Sequence, residues 1–158
     1  MSRTCALLVL ILPVACCPCC RRWASPDRPR VRIGGHVWRV ELALDEPTRM
    51  KGLSGRQELP EGTGMLFAFP REEVLSFHML NCHVALDIAF ISSRLRVVEI
   101  RTMPVEPDPA NPQATYGSRE PARFALEVPA GALARAGVKI GDRVELLDGA
   151  ADAVKAAR

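Results

Sequence analysis

The sequence has no surplus of charge outside its first residues. It contains 21 basic and 18 acidic residues, and Arg3, Arg21 and Arg22 precede residue 24, where no acidic residue occurs. Without those three, residues 24–158 carry 18 basic and 18 acidic side chains and have no net charge. Sequence-independent phosphate binding needs many uncompensated Lys and Arg side chains. We therefore expect no nucleic acid among the partners of this protein.

Cysteine is scarce as well once the first twenty residues are set aside. Five of the six cysteines precede residue 21, and the remaining one is Cys82. The Cys-Cys-Pro-Cys-Cys run at residues 16–20 lacks the two-to-four-residue gap and the second ligand pair of structural zinc sites. We interpret these cysteines as part of a membrane-proximal targeting segment.

Residues 1–23 have the pattern of such a segment. A charged start is followed by an almost purely apolar run over residues 5–15, as in a secretory signal. Val14 and Ala15 then precede Cys16 and Cys17, which approximates a lipoprotein cleavage box with one of these two cysteines as the lipidated residue. We expect an exported protein, periplasmic or held at the membrane by its N-terminus. Two alternatives remain: an uncleaved anchor, because residues 4–20 are uncharged and reach the lower limit of about 17 residues for a span, and a misassigned start codon.

The rest of the chain has the composition of one packed domain. Apolar residues make up 48% of the sequence, enough for a core in a chain of this length. Pro26 and Pro29 mark residues 24–30 as a linker, and the domain is predicted over residues 31–147. Residues 148–158 are expected to form a flexible tail, frayed or helical.

Short strands dominate the predicted elements. A helix is predicted at residues 46–51, with Asp45 as its N-cap and Gly52 at its end, and a second helix at residues 130–136. Period-two alternation and short apolar runs between turn residues predict the strands, at residues 32–44, 65–69, 74–79, 86–91, 95–102, 123–128 and 143–147. The predicted fold class is α+β and β-rich, a small barrel-like or two-sheet antiparallel domain with two short helices.

Several separated motifs occur in one order along the chain: Arg49-x-x-Gly52-Leu53, Gly64-Met65-Leu66-Phe67-Ala68-Phe69, residues 77–91, Leu126-Glu127-Val128-Pro129-Ala130-Gly131 and Gly137-x-x-x-Gly141-Asp142. In that order and spacing, residues 37–147 resemble the domain of unknown function 192 family, a bacterial and archaeal group often carrying signal sequences. The resemblance implies a compact β-rich fold and no particular reaction.

The central block departs from the family pattern. That pattern usually reads Phe-Trp-Met-Lys-Asn-Thr and then Pro-Leu-Asp. In this chain the Trp, Lys, Thr and Pro positions are His78, Leu80, Cys82 and Ala85, whereas Asn81 and Asp87 match. A family site that used the Trp or the Lys would be altered here.

Asp87 is the first candidate site residue, because it lies in an apolar strand where an unpaired carboxylate is costly to bury. Arg49 is its expected partner by a bidentate contact. This pair is either a structural tie between helix and sheet or part of an anion or small-ligand pocket. The ligand-binding candidates are accordingly Arg49, Met79, Asn81 and Asp87.

A second hypothesis concerns His78, Cys82 and His83, which carry nitrogen and sulfur ligands suited to copper or zinc. The simpler interpretation is that His78 replaces a packed aromatic and Cys82 is a small buried residue. Cys82 with a nearby histidine is also a nucleophile–base candidate, although no oxyanion motif accompanies it.

These observations predict an exported, envelope-associated domain that binds a small molecule or an envelope protein, with membrane contact through its N-terminal lipid or anchor. The site is expected around residues 77–87 and the proline-rich loop 104–121. The alternatives are a metal-binding protein or thiol-dependent enzyme using the second set of residues, and a protein with a purely structural role.

Overall fold

The computed structural model describes residues 28–156. The predicted targeting segment 1–23, with Cys16 and Cys17, lies outside the described residues, and so does most of the predicted linker 24–30. The predicted domain 31–147 lies wholly inside them.

The described residues form nine strands and three short helices. The strands are β1 Arg30–Ile33, β2 His36–Ala43, β3 Thr63–Glu73, β4 Ser76–Phe77, β5 Leu86–Ile91, β6 Val97–Met103, β7 Tyr116–Gly117, β8 Ala122–Pro129 and β9 Val144–Leu147. The helices are α1 Glu46–Lys51, α2 Ala132–Arg135 and α3 Ala150–Ala156. The β-rich α+β class is confirmed, with three helices where two were predicted.

Seven strands form one curled, half-barrel sheet in the order β6-β5-β8-β3-β2-β1-β9, and β4 pairs with β7 in a separate two-stranded sheet. The two ends of the large sheet meet at one point. There the Val97 N–H donates to the Asp142 carbonyl at 3.0 Å and the Val144 N–H donates to the Leu95 carbonyl at 2.9 Å. These contacts, beside an isolated bridge between Arg96 and Arg143, join the β6 and β9 edges of the sheet.

Strands β2 and β3 run parallel, whereas the other neighbours in the large sheet are antiparallel. A parallel pair needs a crossover connection, and here α1 lies in it. The predicted caps of this helix are confirmed: the Asp45 side chain accepts from the Thr48 N–H at 2.8 Å, and the chain leaves the helix at Gly52 with φ of 48°. The expectation of an antiparallel domain is thus wrong at this pair, because local patterns do not determine strand direction.

The sheet separates two hydrophobic cores. The helix-side core takes Ala132, Leu133 and Val154 from α2 and α3, and the loop-side core takes residues such as Leu53, Leu75 and Met79 from connecting segments. Side chains alternate between them along the central strands, as the pleat requires. In β8, for example, Phe124, Leu126 and Val128 belong to the helix-side core and Ala125 to the loop-side core.

Three predicted elements differ in extent. The strand predicted at residues 32–44, for which Gly34-Gly35 also predict a turn or bulge, is a hairpin of β1 and β2; that turn is confirmed at Gly34, whose φ is 58°. Strand β3 continues to Glu73 through an irregularity after Ala68, beyond the predicted strand at residues 65–69. The strand predicted at residues 74–79 shortens to β4. The predicted hairpin of residues 86–91 and 95–102 is confirmed as β5 and β6.

The predicted tail, residues 148–158, is described as far as residue 156 and contains helix α3. Helix α3 buries Ala150 and Val154, and Val154 belongs to the helix-side core. Within residues 28–156, no helix has the length and apolar content needed to cross a bilayer.

Candidate functional site

A pocket of about 330 Å³ opens on the loop side of the sheet, beside α1. Its walls combine apolar and polar side chains, and Phe67, Phe69 and Phe77 are among the apolar ones. These rings meet edge to face, with centroids 5.1 Å apart for Phe67 and Phe77 and 6.3 Å apart for Phe69 and Phe77. Leu53, Met79 and Leu86 add aliphatic surface. Pockets of this size and character are typical of small-molecule sites.

Glu127 also lines this pocket, from the middle of the sheet. It lies in β8 between Met65 of β3 and Ile88 of β5. Because Leu126 and Val128 face the helix-side core, the pleat directs the Glu127 side chain to the loop side. Only 5% of the residue is exposed. The carboxyl group is therefore aimed into the pocket from its floor.

The Glu127 carboxyl has no hydrogen-bond or ion-pair partner among the described residues. Burial without a compensating charge disfavours the ionised form. This desolvation raises the pKa of Glu127 to about 8. Near neutral pH the carboxyl group in the pocket is thus mostly protonated, and a ligand can ionise it or bond to it.

The close contact of β3 with β8 at this point depends on Gly64. A Cβ atom on Gly64 would lie 2.3 Å from the carbonyl oxygen of Glu127, far inside van der Waals contact. Only glycine allows the backbones to approach so closely, which gives the Gly64-Met65 motif a structural role in supporting the pocket floor.

Arg49 contributes the guanidinium group on the α1 side of the pocket. Its Nη1 donates to the carbonyl oxygens of Leu44 at 2.5 Å and Ala68 at 3.0 Å. The same group lies over the Phe69 ring, 5.2 Å from its centroid. These contacts tie α1 to strand β3 and hold the wall of the pocket in place.

Two exposed apolar side chains lie at the mouth of the pocket. Met50 is 73% exposed and Leu80 is 40% exposed, and both line the pocket. The charged and titratable residues near the mouth are Glu46, Lys51, Glu73 and His78. Large apolar side chains held in water beside a concave site are typical of a surface that meets a ligand or partner.

Asp87 is buried as predicted, 3% exposed, but it lies on the other side of the sheet. Its neighbours Leu86 and Ile88 belong to the loop-side core, so the pleat directs Asp87 to the helix side. Its carboxylate accepts from the Thr102 hydroxyl at 2.8 Å and from the Leu133 N–H at 3.3 Å. The predicted ion pair with Arg49 is wrong, because the two side chains are held by other partners on different sides of the sheet.

Asn81 has a backbone role. Its φ is 51°, in the left-handed region that Asn tolerates better than most residues. Its N–H donates to the Pro109 carbonyl at 2.6 Å, and its carbonyl accepts from the Gly55 N–H at 2.7 Å. The side chain is exposed. The four ligand-binding candidates thus divide: Arg49 and Met79 line the pocket, whereas Asn81 and Asp87 do not.

The metal hypothesis receives no support from the arrangement of its residues. Within residues 28–156, no three His, Cys, Asp or Glu side chains lie close enough together to hold a metal ion. Cys82 is buried in the pocket wall, His78 lies at the mouth, and His83 is exposed and does not line the pocket.

The chemistry of Cys82 also opposes its use as a nucleophile. Its Sγ contacts the Val84 carbonyl oxygen at 3.4 Å. Burial first, and then the negative charge of ionised Glu127, raise the pKa of the Cys82 thiol. A raised pKa lowers the thiolate population that nucleophilic attack requires. Cys82 and Glu127 both line the same pocket.

The residue that the sequence reasoning missed is Glu127. It stands between Leu126 and Val128 in an apolar strand, the same pattern that singled out Asp87 between Leu86 and Ile88. The signal was therefore present. The proline-rich loop 104–121, expected at the site, contributes no residue to the pocket lining and contacts the site region through Pro109 and the β4–β7 pair.

Comparison with known proteins gives a family and two solved structures. The family model DUF192, described as "Uncharacterized ACR", matches residues 29–146. A Sinorhizobium meliloti 1021 protein described as a "putative transcription regulator" is 35% identical, with 75% of this chain and 92% of that chain covered and a TM-score of 0.68. A protein of unknown function from Novosphingobium aromaticivorans DSM 12444 is 32% identical, with coverages of 73% and 83% and a TM-score of 0.65. No curated protein matches the chain.

Proposed function

This chain belongs to the domain of unknown function 192 family, and we propose that it is a binding domain that takes a small organic ligand into the pocket above Glu127. The observation that carries this proposal is the unpartnered, buried carboxyl group at the floor of a pocket that also has aromatic and aliphatic side chains in its lining. An uncompensated buried acid lowers the stability of a fold, and such groups concentrate at functional sites. Binding is favoured over thiol catalysis because the pKa of Cys82 is raised.

A DNA-binding role, which the description of the Sinorhizobium meliloti relative would suggest, is not carried over to this chain. Residues 24–158 have no net charge, and sequence-independent affinity for DNA depends on uncompensated basic side chains. The proposed partner is accordingly a small molecule.

Site-resolved NMR of the full-length protein in zwitterionic lipid nanodiscs tests the binding function, with 1-hexanol as a neutral apolar probe. We expect saturable shift changes at the backbone amides of Phe77, Met79 and Glu127. Leu80→Trp, which places a large ring at the mouth, should weaken these changes. Ile140→Trp is the matched control, because Ile140 is exposed and outside the pocket. The absence of shift changes in the wild type, or equal behaviour of the two variants, would contradict the proposal.

We also propose that the protein is exported and lipidated at Cys16 or Cys17, which would hold the binding domain at the cell envelope. The support is the charged start, apolar run and cysteine pair of residues 1–23. Metabolic labelling of the full chain with an alkynyl fatty acid in a bacterial host should give a labelled protein. Cys16→Ser or Cys17→Ser should remove the label, whereas Cys5→Ser should not. An unlabelled wild-type protein with an intact N-terminus would support the uncleaved anchor instead.

A further inference from the structure

The charge of the pocket floor indicates which ligand chemistry the pocket accepts. Of the three glutamates in its lining, Glu46 is exposed, Glu73 is half-buried and pairs with Arg71 at 3.4 Å, and only Glu127 is buried. A buried carboxylate is stable when an opposite charge lies beside it. No such charge comes from the described part of the chain, so the ligand is the natural source of it.

We propose that the pocket binds an organic ammonium ion, a protonated amine carried on an apolar chain or ring, with the Glu127 carboxylate as its counter-ion. This inference rests on the proposed binding function and specifies its ligand class. The amine head would lie at the pocket floor, and the apolar part would lie among the pocket walls and beneath Met50 and Leu80 at the mouth.

The walls suit both parts of such a ligand. Phe67 and Phe77 both line the pocket, and aromatic faces attract ammonium groups within about 6 Å of the ring centroid. Leu53, Met79 and Leu86 would contact the apolar part. An uncharged apolar ligand would use the walls but leave the carboxyl group without a partner.

An anionic ligand suits the pocket less well, although Arg49 lies in its wall. The Arg49 Nη1 is already engaged by two backbone carbonyls, and the guanidinium lies against Phe69. An anion reaching the floor would also meet Glu127. Arg49 is therefore held in the wall through Nη1, and an anion bound by its other N–H donors is the competing outcome of the test.

Binding of an ammonium ion should be linked to proton release. Because burial raises the pKa of Glu127 to about 8, an ammonium ligand must displace the carboxyl proton at lower pH. Affinity should then rise about tenfold per pH unit up to about pH 8 and level off above it. The titratable and charged groups facing Glu127 are Cys82 in the wall, Glu46, Arg49 and Lys51 on α1, Glu73 on β3, and His78 at the mouth.

The experiment compares three probes of equal length, hexylamine, 1-hexanol and hexanoate, by calorimetry and NMR on the full-length protein in zwitterionic nanodiscs. At pH 8 we expect hexylamine to bind at least about tenfold more tightly than hexanol. Its affinity should fall toward pH 6 while that of hexanol stays constant. Calorimetry in two buffers of different ionisation enthalpy should show proton release at pH 7 for hexylamine only.

Variants assign the effect to one carboxyl group. Glu127→Gln should remove both the preference for the amine and its pH dependence. Glu145→Gln, which removes a negative charge on β9 outside the pocket, should leave both unchanged. His78→Gln serves as a second control, because His78 also lines the pocket. Should Glu127→Gln not fold, the proton release of the wild-type protein decides the question.

The outcomes separate this inference from the proposed function. Equal binding of hexylamine and hexanol, or tightest binding of hexanoate, would overturn the ammonium ligand and leave the binding function standing. Failure of all three probes to bind would overturn both.

Discussion

The two sides of the sheet each bury one carboxyl group, and they treat it differently. On the helix side, Asp87 accepts from the Thr102 hydroxyl and from the Leu133 N–H at the start of α2. On the loop side, Glu127 has no partner in the described part of the chain and borders a pocket of about 330 Å³. The two residues lie on adjacent strands, since Asp87 pairs with Val128 in the β5–β8 register.

The difference follows from what covers each side. The helix-side core is completed by α2 and α3, whose backbone and side chains fill the space over the strands. The loop-side core is covered by irregular segments around Leu53 and Met79, which leave a cavity. A buried polar group with its hydrogen bonds satisfied stabilises a fold, whereas an unsatisfied one beside an open cavity marks a place where a ligand can complete the structure. The comparison assigns a structural role to Asp87 and a functional role to Glu127.

The largest expected effect concerns the pH dependence of stability. The pKa of Glu127 is raised from 4.5 to about 8 by folding. The folded state therefore binds the proton more tightly than the unfolded state, and its free energy of unfolding falls as pH rises through this window. The loss is about 1.4 kcal/mol per pH unit, and Glu127→Gln should remove it.

Urea unfolding of the wild-type protein and Glu127→Gln at pH 5 and pH 8 measures this pH dependence of the free energy of unfolding. The variant and the wild-type protein should be similar at pH 5, and the variant should be more stable at pH 8 by a few kcal/mol. Glu145→Gln provides the control for a simple change of net charge. A variant that is less stable than the wild type at pH 8 would remove the distinction between the two carboxyl groups.

The second prediction tests the other side of the sheet. Asp87→Ala leaves the buried Leu133 N–H without an acceptor and takes the partner of Thr102 away. An unsatisfied buried donor costs about 1–3 kcal/mol, so the free energy of unfolding should decrease by about 2 kcal/mol, measured by urea unfolding at pH 7. Asp87→Asn keeps an acceptor oxygen and should cost less. No loss of stability in the alanine variant would show that Asp87, like Glu127, is not a structural group.

The smallest expected effect comes from restoring a cation at the rim. The family pattern has Lys where this chain has Leu80, and Leu80 lines the same pocket as Glu127. Leu80→Lys should lower the pKa of Glu127 by about one unit, because a nearby opposite charge favours the ionised form. Carbon-detected NMR titration of the Glu127 carboxyl measures this, with Leu80→Met as the uncharged control. An unchanged pKa would show that the rim position lies too far from the floor to act on it.

Much of the local structure was predictable from the sequence. The helix at residues 46–51 follows from its Asp45 cap and Gly52 end, and both are confirmed. Apolar runs and alternation located β5, β6 and β8. The burial of Asp87 also followed from its apolar neighbours. In each case the signal lies within a few residues of the element itself.

The partners of the buried acids were not predictable in the same way. Arg49 and Asp87 are 38 positions apart, and charge alone made them a plausible pair. Strand alternation places Asp87 on the helix side, and Arg49 is held by the carbonyls of Leu44 and Ala68. The pocket likewise combines α1, the middle of β3 and β8, and residues 76–82, which no local pattern brings together.

The sequence by itself thus determined that the chain is a β-rich domain, where most of its strands and its first helix lie, and that Asp87 sits within an apolar strand, because periodicity and capping act over a few neighbouring residues. The same pattern surrounds Glu127. Only the tertiary structure decided which carboxyl group finds hydrogen-bond donors and which faces an open pocket. That outcome depends on strand register and on which distant segments cover each side of the sheet, and these are set by the summed packing of the whole domain.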